Sequence, residues 1–162
     1  MAKRILVAIT KASDPDVQSV GGVAEMAREN GGIIRLMFVG PVPSARLDWL
    51  DRVVVTADRE LARTTDEALE GLRALASTWD DVTIERVARF GRLTREVPVE
   101  VEAFQADLVV LVIPRAPSII DRVAACYLEH VAFGARVPFA TLPTRPGHAE
   151  MIAEALALAG FH

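Results

Sequence analysis

The one cysteine of the chain, Cys126, stands four residues before His130. On a helix that spacing puts both side chains on one face. A thiol beside an imidazole has the groups needed for a nucleophile and its base, yet a buried structural cysteine accounts for the same residue more simply. Adding Glu129 does not produce the ligand spacing of a zinc site, and His148 and His162 fall near the end of the chain. The sequence has no Gly-x-Ser-x-Gly elbow, no Walker loop and no Gly-x-Gly-x-x-Gly. It also lacks the Ser-Gly-Gly-x-Asp-Ser loop that adenylating α/β enzymes carry after their first strand. Catalysis is therefore the weaker class of reading, and the chain is read as a non-enzyme with no metal and no cofactor. Lys11 and Arg115 are expected on neighbouring loops, where they could hold an anion, although loop cations are usually just solvated. Ser13 and Ser118 are read first as helix caps.

The elements that position these residues follow from hydrophobic patterning. Ile5–Ile9 and Leu108–Ile113 are nearly unbroken aliphatic runs, as strands covered on both faces require. Ile33–Val39 is a third, interrupted by Arg35. Val82–Val87 alternates less cleanly and is expected nearer an edge. Val137–Leu142 carries Pro138, which also suits an edge.

Helical patterns fill the gaps. Asp14-Pro15 opens the first, Val17, Val20, Ala24 and Ala27 form its inner face, and Gly31-Gly32 stops it. The internal Gly21-Gly22 weakens it by about 1 kcal/mol each, with close packing on the sheet as the expected compensation. From Leu47, the positions Leu50, Val54, Leu61, Ala68, Leu72, Leu75 and Trp79 mark a second helix, with Val53–Thr56 as an irregular lead. A third starts near Thr94, buries Val97, Val101 and Phe104, and holds Pro98 in its first turn. A fourth spans about Ile119–Phe133 and buries Ile120, Val123, Tyr127 and Val131. The alternation of strand and helix implies right-handed crossovers and a doubly wound parallel sheet. After the linker at Pro143–Gly147, residues 149–159 form an amphipathic helix through Met151, Ile152, Ala155, Leu156 and Ala159, which packs on its own domain or on a partner.

Composition narrows the function. The 162 residues are 51% hydrophobic and 25% charged, with a net charge of −4 and no basic cluster. That is a globular chain without the basic stripe that nucleic-acid binding needs. The apolar run behind Lys3-Arg4 is too short to span a bilayer. A lone cysteine permits no internal disulfide, and the expected address is cytoplasmic.

With its elements in this order, the chain resembles the universal stress protein family over residues 3–143. Lys3–Ile9 is similar to the family's opening strand, and Leu36–Val42 to its second strand and exit. Gly91, Glu96 and Ala106–Val110 resemble the stretch leading into the fourth strand, and Val137-Pro138-Phe139 stands where the family ends with Cys-Pro-Val. The resemblance implies a Rossmann-like fold of the adenine nucleotide alpha hydrolase type, with five parallel strands in the order 3-2-1-4-5. It also implies a homodimer, often made through the last strand. Residues 1–143 would be the domain and 144–162 the linker and extra helix.

Family members that bind ATP carry an acidic residue at the end of the first strand, where this chain has Thr10. They carry Gly-x-x-Gly after the fourth strand, where this chain has Pro114-Arg115-Ala116-Pro117, and Gly-Ser or Gly-Thr where it has Ala125-Cys126. Proline offers no amide donor to a phosphate. The switch-point crevice is expected to be lined by Thr10, Lys11, Ser13, Val39, Pro114 and Arg115. The leading expectation is a regulatory stress-response homodimer that does not bind ATP and acts through an unidentified protein or small ligand. A nucleotide binder using Lys11 and Arg115 in place of the glycine loop is the alternative, and a Cys126-dependent enzyme the distant one.

Overall fold

The two aliphatic runs become the centre of the sheet. In a computed structural model that describes residues 3–10, 17–41, 50–112, 119–128 and 137–142, β1 (Arg4–Ile9) lies between β2 (Ile33–Gly40) and β4 (Leu108–Val112). β3 (Thr83–Phe90) and β5 (Phe139–Leu142) are the edges, so the order is β3-β2-β1-β4-β5 and every pairing is parallel. Both edges fall where the sequence put them. Pro138 precedes β5 and contributes only its carbonyl, which accepts from the Val109 amide at 3.0 Å. Among the described residues four helices connect the strands: α1 (Val17–Glu29), α2 (Leu50–Ala76), α3 (Leu93–Phe104) and α4 (Ile119–Tyr127). The Asp14-Pro15 start and the C-terminal segment after Leu142 lie outside the described residues.

Alternation along the strands divides the interior into two cores. Ile5, Val7 and Ile9 of β1 face Val20, Ala24 and Ala27 of α1 and Ala68 and Leu72 of α2. Leu6 and Ala8 face the other way, with Val97, Val101 and Phe104 of α3 and Ala125 and Leu128 at the end of α4. Asp107 ties β4 to β1: its carboxylate accepts from the Arg4 amide at 2.8 Å, and its own amide donates to the Arg4 carbonyl.

Arg35, the apparent interruption of β2, sits in register with Glu85 of β3, and its Nε donates to that carboxylate at 2.8 Å. Its Nη1 donates at 2.6 Å to Glu100 of α3, which is 2% exposed. Arg89 of β3 donates to the other oxygen of Glu100 at 2.6 Å, and the Arg35 guanidinium lies 4.2 Å from the centre of the Phe104 ring. Burial pulls the Arg35 pKa down, but its bonds to Glu85 and Glu100 outweigh this and hold it above the usual arginine value.

Several local expectations change. α2 is continuous from Leu50, because helical propensity over a long amphipathic segment overrides the β-branched run. Leu61 lies 40% exposed on it. Pro98 is the sixth residue of α3, so its missing N–H falls beyond the first turn and leaves the Thr94 carbonyl without its intrahelical donor. A Cβ at Gly22 would meet nothing within 4 Å and one at Gly21 only Trp79 at 3.6 Å, so no close approach compensates that pair. Of the described side chains, Ala125 on α4 and Leu128 just past its end are buried, while Val123 and Tyr127 are exposed; Ile120 and Val131 lie outside the described side chains.

Candidate functional site

A sheet wound in both directions leaves a crevice outside the carboxyl ends of its strands. Here β1 ends at Ile9 and β2 at Gly40, and residues facing the α3 and α4 side of both strand ends open into a cavity of about 680 Å³. The floor is Thr10 and Val39, which continue the alternation by which Leu6, Ala8 and Met37 face α3 and α4. One wall is the start of α3 with Gly91, Arg92, Leu93 and Thr94. The other is α4, with Ile119, Val123 and Tyr127 at every fourth position, a single stripe along the helix. Ile119 is 80% exposed, Val123 63% and Tyr127 45%.

The α3 wall is fixed by two features. Gly91 has φ +151°, a conformation that L side chains rarely adopt, and a Cβ there would come within 2.8 Å of Glu96 Oε1. Its amide donates to the Gly40 carbonyl at 2.9 Å, which joins the wall to the end of β2. The Arg92 carbonyl then accepts from both Arg95 and Glu96 and starts the helix. Deeper in α3, Glu100 anchors the helix to β2 and β3 through Arg35 and Arg89.

Thr10 and Val39, both expected at the crevice, are placed in it. Lys11, Ser13, Pro114 and Arg115 lie outside the described residues, as does His130. Cys126 is exposed on α4. Ala125-Cys126, the positions of the phosphate-holding pair in nucleotide-binding relatives, sit inside α4 rather than at the start of a helix. Their amides belong to the helical ladder and are not available as an anion cradle. Arg92, Leu93, Ile119, Val123 and Tyr127 were not legible as site residues. The α4 stripe has the spacing of a core face, and only the position of the helix shows that it lines the crevice. Among the described lining residues the only formally charged side chain is Arg92.

The family model described as "Universal stress protein family" matches residues 1–137. The chain belongs to the universal stress protein family. Among solved structures it is similar to universal stress protein UspA from Lactobacillus plantarum, at 15% identity and TM-score 0.59, over 88% of this chain and 97% of that one. A universal stress protein family member from Burkholderia pseudomallei aligns at 14% identity and TM-score 0.50, over 88% and 96%. A universal stress protein in complex with cAMP aligns at 14% identity and TM-score 0.51, over the same shares. At these identities the likeness is one of fold. A search of curated proteins finds no match. No described helix is long and apolar enough to cross a membrane.

Proposed function

We propose that this chain is a non-catalytic regulatory member of its family, a cytoplasmic homodimer whose switch-point crevice does not use ATP. The observation that carries this reading is the crevice lining. An ATP–metal complex needs several donors for its phosphates and a carboxylate near the metal. The described walls offer one cation, Arg92, and place Thr10 at the end of β1. The remainder of the described lining is dominated by aliphatic and aromatic side chains, and Ala125-Cys126 is committed to the interior of α4. Among the described residues, this donor set supports the reading that a nucleotide phosphate chain is not the occupant.

The homodimer reading draws on the free outer edge of β5, a four-residue strand paired only with β4 among the described residues. Light scattering of the purified chain checks it, with a monomer mass as the contrary result. The nucleotide-binding alternative through Lys11 and Arg115 is favoured by the relative in complex with cAMP. Calorimetric titration with ATP, ADP and AMP separates the two. The proposed reading expects no saturable heat up to about 1 mM, whereas a Kd of about 10 μM or tighter would overturn it.

A further inference from the structure

The crevice combines three features that do not belong together on an idle surface. Its volume, about 680 Å³, lies in the range of small-molecule sites. Its α4 wall presents Ile119, Val123 and Tyr127 to solvent, a stripe about 12 Å long at a rise of 1.5 Å per residue. Exposed apolar side chains are common singly, but three aligned along one wall of a cavity form a continuous surface whose burial is favourable. Facing that wall, Val39, Pro41 and Leu93 continue the apolar lining, and Arg92 stands as its one described charge. Arg92 has no ion-pair partner among the described residues. Glu96, four residues on, packs against Gly91 and lies 3.9 Å from Arg89.

We propose that this crevice binds an amphipathic monocarboxylate, an aryl or medium-chain aliphatic acid whose apolar body lies along Ile119, Val123 and Tyr127 and whose carboxylate meets Arg92. The inference rests on the reading that the crevice is not an ATP site. Charge complementarity selects the occupant. One guanidinium matches one carboxylate, whereas a di- or triphosphate would bring several charges against described walls that hold a single cation. The apolar walls would gain nothing from a small hydrophilic anion. Thr10 and Thr94 add hydroxyls that can turn toward either end of the ligand.

Titration of the full chain with 1-naphthoate, followed by ligand fluorescence, tests this. 1-Naphthalenemethanol, which has the same body without the charge, and inorganic phosphate are titrated in parallel. Naphthoate is expected to bind with a Kd of about 10–100 μM. Arg92→Ala should weaken it about tenfold and leave the alcohol within about twofold, since a charge-assisted contact is lost and the apolar one kept. Val123→Glu, at an exposed position, should weaken both about tenfold or more while the melting temperature stays at the wild-type value. Three results would overturn the proposal: no naphthoate binding, binding insensitive to both substitutions, or phosphate competing as well as naphthoate. Binding accompanied by halving of the mass in light scattering would make a second copy the natural occupant and would also overturn it. Absence of naphthoate binding with a silent ATP titration refutes only this inference. Micromolar ATP binding refutes the underlying reading whatever naphthoate does.

Discussion

Replacing Glu100 with glutamine tests what holds the α3 wall of the crevice in place. Glu100 is 2% exposed and accepts at 2.6 Å from Arg35 Nη1 and at 2.6 Å from Arg89 Nε. Charge-assisted bonds of this kind contribute about 1.5–3 kcal/mol each. The glutamine carbonyl keeps one weaker bond, but its NH₂ group then faces a guanidinium donor. Both arginines are partly solvated, with 25% and 32% of their side chains exposed, and each keeps another carboxylate, Glu85 for Arg35 and Glu96 for Arg89. The net loss should be about 2–3 kcal/mol, below the ~3–5 kcal/mol of a fully buried pair left half broken. For a chain of this length that lowers the melting temperature by about 4–12 °C, measured by circular dichroism. The double variant Arg35→Leu/Glu100→Leu should recover about half of the loss relative to Glu100→Leu alone, because it removes a stranded cation together with its partner. Glu100→Gln melting within 1 °C of the wild type would refute the reasoning.

Two further substitutions probe neighbouring parts of the structure. Gly91→Ala forces a side chain into φ +151° and against Glu96, and should cost about 1–3 kcal/mol in urea unfolding; an unchanged midpoint would mean the turn relaxes freely. Asp81 beside Arg28, which also meets Glu25, holds the entry to β3 against α1, and the hydrogen bond from Arg28 keeps its carboxyl below the usual 3.8. A depressed carboxylate pKa gives stability that is present above 3.8 and lost as pH falls through the lower folded value. Wild type should therefore melt above Asp81→Asn at neutral pH, with the difference closing below pH 3.8; a gap that widens with acid would contradict the pairing.

The sheet was legible because its central strands are buried on both faces. Ile5–Ile9 and Leu108–Val112 need no alternation, and few other structures accept such runs. The edges were legible from weaker alternation in β3 and from Pro138 before β5. Arg35 was visible only as an interruption, since its partners Glu85 and Glu100 lie 50 and 65 residues away in sequence. Periodicity showed that α4 has an apolar stripe through Val123 and Tyr127, yet it could not show which of two stripes meets the sheet. Ala125 and Leu128 do so with less apolar area, which is why the larger residues were assigned to the core. Thr10 and Val39 reach the crevice because strand ends at a switch point do so in any sheet of this order. The α3 wall was missed because Gly91–Thr94 follow an edge strand, remote in sequence from both.

We propose that the crevice of this universal stress protein family member is not lined for ATP. Isothermal titration of the full chain with Mg-ATP tests it directly. The lining around Thr10 and Arg92 predicts no saturable heat up to about 1 mM nucleotide. A saturable isotherm with a Kd of about 10 μM or tighter would contradict it.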